Sequence, residues 1–416
     1  MAITSYVIAI ILITSSTFLF QSSPLFISCH YNPIISTIIS SPEIKRAYYF
    51  ISDKTPHLNI HLGTPSQSIP IEIDLQSETS LINPLYFDPY KSSSIQNHGN
   101  KRISLHNSII YLNMYKDKLT LCTDEQCLNN KNTIQLNDFT FYMEDYDAYE
   151  DIANVIGLGY PTKDNAFINT IINSNTINEN IFTIIPHTNK TGYILFGNYT
   201  NINTIINDNN LYNKMTCPLI TQQNITKWAC SLKSITIQPK IGTYRFYNIK
   251  PVYFQANTED IYIPKSFAEF LENTILKNTE LKSHCKVGDY YQMKKIICDP
   301  SVTDIINITF TFGNEDNNDL QLKQILTHDS FDSFLVFKYL YQNEDAWILG
   351  TSFLFQYTSV FNIDQKTISL YESKYNFTYV HEYSSKHNII IKLNIILIII
   401  MIIFILLLLY LKIYHK

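Results

Sequence analysis

Glycine is scarce in this chain, at 10 of 416 residues, and there is no basic excess, since 31 Lys and Arg stand against 36 Asp and Glu. Without a strong positive face the chain has no electrostatic footprint for nucleic acid, so that class of partner is excluded. The sequence also lacks the Gly-x-Ser-x-Gly elbow of serine hydrolases and the Gly-rich loop of nucleotide enzymes. None of the seven cysteines is spaced with a matching His cluster, so we expect neither a metal site nor a cofactor.

Apolar and aromatic residues are abundant instead. The chain is 45% hydrophobic and contains 30 Tyr and 24 Phe. This content supports sizeable cores, either in two or three domains or in one large bilobal unit, and excludes disorder throughout.

The amino-terminal end carries an uncharged apolar run. Residues 7–20 (VIAIILITSSTFLF) have the length of a signal-peptide core, although no basic residue precedes them. We predict a signal peptide at 1–23, with an uncleaved anchor or a buried helix as alternatives, and a leader segment at 24–50.

A second apolar run, at 393–411, is long enough to cross a bilayer as a helix. It follows a linker at 381–392, and Lys412 and Lys416 come after it, which places the tail at 412–416 in the cytosol. We therefore predict a single-pass membrane protein of the secretory pathway whose folded part faces the lumen or the outside.

Cysteines and glycosylation motifs agree with a lumenal location. Cys29 falls near the predicted cleavage region, and the other six cysteines form three sequence-local pairs, as disulfides would in an oxidising compartment. Five asparagines each begin an N-x-Ser/Thr sequon. The cysteines are Cys122, Cys127, Cys217, Cys230, Cys285 and Cys298, and the asparagines are Asn189, Asn198, Asn224, Asn307 and Asn376.

Short alternating or apolar runs recur between the two ends, with turn residues between them, which predicts a mostly β architecture. Helical periodicity is clearest at 166–173 and 267–276. The predicted strands include 57–62, 69–73, 182–186, 193–197, 232–238, 307–312, 347–350 and 357–363.

The order of several segments resembles that of the pepsin-type aspartic proteases. In LGTPSQSIPIEID (62–74) a Gly-Thr-Pro turn leads into the strand that carries Asp74, like the segment with that family's first catalytic Asp. The block WILGTSFLFQYTSVFNIDQKTISL (347–370) resembles the last ψ-shaped loop and strand of the second lobe. Further similar segments are 87–95, 154–161, 182–200 and 227–238.

The resemblance covers roughly residues 57–372 and implies a bilobal, mostly β fold with a cleft between the lobes. The N-terminal lobe would span 51–205 and the C-terminal lobe 206–380. With a signal sequence, a C-terminal anchor and Cys285/Cys298 in the place of a second-lobe disulfide, the chain is most similar to the membrane-anchored, plasmepsin-like branch.

In that family each lobe donates one Asp, and the two acids share a proton because like charges so close cannot both ionise. Each Asp is followed by Thr or Ser, whose hydroxyl braces the other lobe, and by Gly, which allows close backbone approach. Here the first site reads Asp74-Leu75-Gln76-Ser77. Asp74 and Ser77 match the motif, whereas Leu75 lacks the hydroxyl and Gln76 carries a bulky side chain.

The second site resembles the family motif less closely. The segment VYFQANTEDIYIPKSF matches it through its strand, Thr258 and the Tyr-Ile-Pro ending, and the family spacing of nine residues before Pro264 falls on Gln255. Ala256 and Asn257 follow where Ser/Thr and Gly belong. An amide has no proton to exchange near neutral pH, so Gln255 cannot act as acid or base.

Two further features concern the same site. Glu259 or Asp260 is a candidate replacement acid, with a solvated turn charge as the plainer role for each. The family's substrate-covering hairpin carries a Tyr, for which Tyr115 and Tyr111 are candidates, although both also fit ordinary strand positions.

We therefore expect a membrane-anchored, catalytically impaired homologue that binds an extended peptide or protein partner in its cleft. One alternative is an active aspartic endopeptidase that uses Asp74 with a non-standard partner. Another is a structural membrane-surface protein. No feature of the sequence indicates an oligomeric state.

Overall fold

The structure is a computed structural model that describes residues 44–52, 55–105, 108–122, 133–144, 153–174, 177, 179–186, 191–197, 213–222, 225–239, 242–258, 260–290, 293–298, 306–312, 319–321, 335–340 and 346–372. These residues belong to one compact unit at 41–416. Among them, no helix is long and apolar enough to cross a membrane. The predicted signal peptide at 1–23 and the predicted membrane helix at 393–411 lie outside the described residues.

Strands dominate the described residues. The strands of the first half are β1 (Ile44–Ser52), β2 (Thr55–Leu62), β3 (Gln67–Asp74), β4 (Gln96–Leu105), β5 (Ser108–Leu121), β6 (Ile134–Met143), β7 (Val155–Gly157), β8 (Ile181–Pro186) and β9 (Thr191–Gly197). Those of the second half are β10 (Asn213–Pro218), β11 (Thr221–Gln222), β12 (Ile225–Thr226), β13 (Ala229–Pro239), β14 (Tyr244–Phe254), β15 (Ile261–Tyr262), β16 (Cys285–Tyr290), β17 (Met293–Cys298), β18 (Ile306–Phe312), β19 (Asp319–Gln321), β20 (Leu335–Leu340), β21 (Trp347–Leu349), β22 (Tyr357–Asn362) and β23 (Thr367–Glu372). The helices are a 3-10 turn at Pro89–Lys91, α1 (Phe167–Asn173), α2 (Lys265–Lys277), α3 (Thr279–His284) and α4 (Thr351–Leu354).

Two large sheets contain most of these strands. One runs in the order β10-β23-β22-β8-β9-β1-β2-β3-β7, with β4, β5 and β6 attached through β2. The other runs β16-β17-β20-β15-β21-β14-β13-β18-β19. We call β2–β7 the N-terminal lobe and the second sheet the C-terminal lobe. The strands β10, β22 and β23 come from the second half of the chain. Strand β22 pairs with β8, β23 pairs with β22, and β10 pairs with β23, so the first sheet contains strands from both halves.

The first strand is part of this joining sheet. Strand β1 pairs antiparallel with β2 on one side and with β9 on the other. Residues 44–50, part of the leader segment predicted at 24–50, therefore lie within the sheet.

The local sequence explains the elements that bear on the site. In β3, Ile71 and Ile73 are fully buried, while Glu72 between them is half-buried, so the alternation predicted for a strand is confirmed. Helix α2 begins directly after Pro264, a residue compatible with a helix start, and buries Phe267 in the core. The other predicted strands and both predicted helices are confirmed within a few residues at their ends.

Two of the predicted cysteine pairs form disulfides. Cys217–Cys230 joins β10 to β13 and thus the first sheet to the C-terminal lobe, and Cys285–Cys298 joins the directly opposed residues of β16 and β17. Cys122 is buried and disulfide-bonded. Its predicted partner lies outside the described residues.

Of the predicted sequons, one falls on a described strand. Asn307 lies in β18 opposite Gln238 of β13. The remaining four sequon asparagines, Asn189, Asn198, Asn224 and Asn376, lie outside the described residues.

Candidate active site

A three-stranded motif in the N-terminal lobe positions Asp74. Val155 of β7 pairs in parallel with Glu72 of β3 on one side. On its other side it forms an antiparallel bridge to Leu81, nine residues after Glu72. The chain thus leaves β3, turns through Asp74 and returns along the far side of β7.

The C-terminal lobe repeats this motif with the same spacing. Ile348 of β21 pairs in parallel with Tyr253 of β14 and antiparallel with Tyr262 of β15, again nine residues later. Asp74 lies two residues after the parallel partner in the first motif, and Gln255 lies two residues after it in the second. The strand register therefore makes Gln255 the counterpart of Asp74.

Asp74 is held in a fixed orientation at the end of β3. Its side chain is 5% exposed, and its Oδ1 accepts the backbone N–H of Gln76 at 2.7 Å and of Ser77 at 3.3 Å. Its main-chain carbonyl accepts the N–H of Leu158 at 2.7 Å. Main-chain donors are well suited to orient a carboxylate because the turn itself fixes their positions.

The turn after Asp74 packs tightly against the loop after β7. A Cβ added at Gly157 would lie 2.6 Å from the Glu78 carbonyl carbon, and one at Gly159 would lie 2.5 Å from that of Ser77. The N–H of Gly159 donates to the Ser77 carbonyl at 2.8 Å. The Ser77 hydroxyl accepts the N–H of Thr79 at 3.0 Å, which closes the turn locally. Glycine is thus required at the last residue of β7 and at Gly159 in the loop after it, even in a chain with so few.

The counterpart turn of the C-terminal lobe has different side chains. Gln255 is half-buried, and its N–H donates to the Leu349 carbonyl at 3.0 Å. Ala256 is fully buried, and the Oδ1 of Asn257 is buried without a hydrogen-bond partner among the described residues. The main-chain carbonyl of Thr258 accepts the N–H of Thr351 at 2.7 Å.

The side chain of Gln76 connects the two turns. Its Nε2 donates to the carbonyl of Phe254, the residue before Gln255, at 2.6 Å and lies 3.5 Å from the carbonyl of Trp228. From the sequence alone, Gln76 is only a bulky replacement for glycine. This contact joins residues 178 positions apart, and nothing in the local pattern indicates it.

The candidate replacement acid Asp260 has a different partner. Its Oδ2 lies 2.5 Å from the Nζ of Lys338, and both side chains are largely buried. The Tyr262 hydroxyl also donates to Oδ2 at 3.4 Å, and burial together with the negative charge of Asp260 raises the pKa of that phenol. Glu259, the other candidate, lies outside the described residues.

The candidate flap tyrosines lie on β5. The ring of Tyr115 stacks on Phe141 of β6 with centroids 5.8 Å apart, and its backbone pairs with Asn97 of β4. Tyr111 is 68% exposed. Tyr115 therefore lies within the strand and packs on the lobe core, and a role over the cleft stays a prediction.

The described residues contain no group of three or more His, Cys, Asp or Glu side chains arranged to hold a metal ion.

Comparisons with known proteins agree with this geometry. A family model described as eukaryotic aspartyl protease matches residues 58–373, whereas no curated protein matches the chain. Among solved structures the chain is similar to conglutin gamma, a basic 7S globulin from lupine seeds, with a TM-score of 0.62, 13% identity, and coverage of 80% of this chain and 96% of that one.

Two further solved structures have the same fold. Basic 7S globulin from soybean gives a TM-score of 0.59 at 12% identity, covering 80% of this chain and 95% of that one. The aspartic proteinase from Irpex lacteus gives a TM-score of 0.57 at 13% identity, with coverage of 80% of this chain and 99% of that one. Because the family model spans more than half of the sequence, the chain belongs to the eukaryotic aspartyl protease family.

Proposed function

We propose that this chain is a catalytically impaired aspartic protease homologue that binds an extended peptide or protein segment in the cleft between its lobes. The observation that carries the proposal is the register of the two motifs, in which an amide, Gln255, is the counterpart of the carboxylate of Asp74.

The chemistry of the family explains why this exchange matters. Peptide hydrolysis by a carboxylate pair needs one protonated and one ionised acid to activate a water between them. A glutamine amide can hydrogen-bond a water but neither takes nor gives a proton near neutral pH. Loss of one general acid or base lowers the rate by about 10²- to 10⁴-fold, and groups that act as a unit lose most of their effect together.

The contacts of the described candidate replacement acid, Asp260, support the same conclusion. Asp260 is engaged by Lys338 at 2.5 Å and by Tyr262. Moving Asp260 to Asp74 would break this largely buried ion pair, which is strongly unfavourable.

Retention of the Asp74 turn supports binding. The carboxylate of Asp74 keeps its two main-chain donors, and Gly157 and Gly159 keep the close packing beneath it. A carboxylate at one strand end and an amide at its counterpart still offer acceptors and donors to a peptide backbone.

A second candidate function, an active aspartic endopeptidase, is favoured by the same orientation of Asp74. In that case a group outside the described residues, such as Glu259, would supply the second acid.

Binding of an uncleavable statine-type peptide, whose hydroxyl mimics the reacting water, tests the proposal by calorimetry on the full-length protein. We expect saturable binding that weakens at least about tenfold in Asp74→Ala, because a hydrogen bond to a charged group is lost. The matched control is Asp138→Ala, which removes an exposed carboxylate on β6 and should leave binding unchanged.

Turnover of a peptide library under the same conditions separates the alternatives. Cleavage that disappears in Asp74→Ala would establish the endopeptidase. If the protein neither cleaves nor binds peptides, the remaining interpretation is a structural membrane-surface protein.

We further propose that the folded part lies in the lumen of the secretory pathway or outside the cell, anchored by the helix predicted at 393–411. The disulfides Cys217–Cys230 and Cys285–Cys298 support an oxidising compartment.

A further inference from the structure

A closed circuit of hydrogen bonds surrounds the junction of the lobes. The carbonyl of Asp74 accepts the N–H of Leu158 at 2.7 Å, and the carbonyl of Leu158 accepts the indole Nε1–H of Trp228 at 2.8 Å. The carbonyl of Trp228 accepts the N–H of Phe254 at 3.2 Å, and the carbonyl of Phe254 accepts the side-chain amide of Gln76 at 2.6 Å. The N–H of Gln76 then returns to the carboxylate of Asp74 at 2.7 Å.

The circuit crosses between the two halves of the chain at two places. One crossing is the indole of Trp228 on Leu158, and the other is the amide of Gln76 on Phe254. Both crossings are side-chain to main-chain bonds, so each depends on the identity of one residue. All the other links join residues of the same half.

Gln76 connects the Asp74 carboxylate to the end of strand β14 in the C-terminal lobe. Its backbone orients the Asp74 carboxylate, and its side chain holds the carbonyl next to Gln255. Only the nitrogen of the amide can face the carbonyls of Phe254 and Trp228, because a carbonyl accepts and does not donate.

We infer that Gln76 is a positioning residue: its side-chain amide braces the lobes and fixes the Phe254–Gln255 segment against the Asp74 turn. In this chain the brace comes from the third residue of the motif rather than from a hydroxyl on the second, where Leu75 is fully buried in the core. The inference does not depend on whether the cleft binds or cleaves a peptide.

The tryptophans offer a direct reporter for this brace. The chain has two, and both are fully buried. In a Trp347→Phe background, the emission of the full-length protein comes from Trp228 alone, at the junction. Acrylamide quenching of this emission then measures how closely the lobes are held.

Gln76→Met keeps the length of the side chain and removes the donor. We expect stronger quenching and a red-shifted Trp228 emission in the folded protein, and about a tenfold or larger rise in the unfolding equilibrium constant, because a buried carbonyl loses its partner. The matched control is Gln67→Met. Gln67 also bonds main-chain atoms, donating to the Asp88 carbonyl and accepting its N–H, but within one lobe. Its loss should lower stability and leave Trp228 emission unchanged.

Gln76→Glu tests the role of the donor itself. An ionised Glu cannot donate, whereas a protonated one can, so its Trp228 emission should return to that of the Gln76 protein as the pH falls to about 4 or below. This arm also covers the case in which Gln76→Met fails to fold, because the Glu variant can be prepared in acid and then shifted to neutral pH.

The inference is overturned by either of two results. One is Trp228 emission and quenching in Gln76→Met equal to those of the parent. The other is a Gln76→Glu variant whose emission does not respond to pH relative to the parent under the same conditions.

Discussion

The two strand ends at the lobe junction share one backbone register but use their polar side chains differently. In the N-terminal lobe, the main-chain N–H groups of Gln76 and Ser77 orient the carboxylate of Asp74. In the C-terminal lobe the equivalent residue is Gln255, and the nearby acid Asp260 is bound to Lys338. The same backbone register therefore positions a carboxylate at one strand end and an amide at the other, so the pairing of the strands does not dictate which side chain stands there.

The largest effect should come from the C-terminal lobe. Lys338→Met leaves the Asp260 carboxylate buried without its counter-charge, so we expect the free energy of unfolding to fall by about 3–5 kcal/mol, measured by urea denaturation. The matched variant Lys338→Met/Asp260→Asn removes both charges and should recover most of that loss. A single variant as stable as the double one would show that Asp260 is not held by this pair.

A smaller loss should follow from crowding the N-terminal turn. Gly159→Ala places a Cβ 2.5 Å from the Ser77 carbonyl carbon, so we expect about 1–3 kcal/mol of destabilisation. Gly288→Ala is the control, because nothing lies within 4 Å of its Cβ position. Equal thermal midpoints for the two variants would argue that the loop after β7 is not packed on the Asp74 turn as described.

The smallest expected effect concerns Glu78, whose carboxylate contacts Thr162 and Lys163 beside that turn. Glu78 accepts the N–H and hydroxyl of Thr162 at 2.7 and 2.8 Å and the ammonium of Lys163 at 2.9 Å. Burial acts to raise the pKa of Glu78, but these donors outweigh it and lower the pKa overall. A depressed folded-state pKa stabilises the fold at pH values above 4.5, the ordinary pKa of a glutamate, and that stability is lost as the pH falls through the folded-state pKa.

Glu78→Gln should therefore lower the free energy of unfolding by about 1 kcal/mol at neutral pH and by less in acid. Urea denaturation at both pH values checks this. A cost that stays constant as the pH falls would rule out the carboxylate as its source.

The positions of the two strand ends can be predicted from the sequence better than the side-chain contacts around them. Alternation identifies β3, and counting back from Pro264 selects Gln255, the residue that the strand register also makes the counterpart of Asp74. The prediction of β3 is confirmed because strand spacing is local and regular, and the count to Gln255 relies on the same regularity.

Contacts between distant residues could not be predicted in the same way. Lys338 and Asp260 are 78 positions apart, and Gln76 and Phe254 are 178 apart, so only the folded topology brings them together. The strand β1 is a similar case, because its pairing with β9 depends on a partner far along the chain.

If no second acid acts with Asp74, peptide turnover by the unaltered full-length protein should not depend on that carboxylate. We expect any cleavage at acidic to neutral pH to be the same in the unaltered protein and in Asp74→Ala. Cleavage by the unaltered protein that Asp74→Ala abolishes would contradict this expectation.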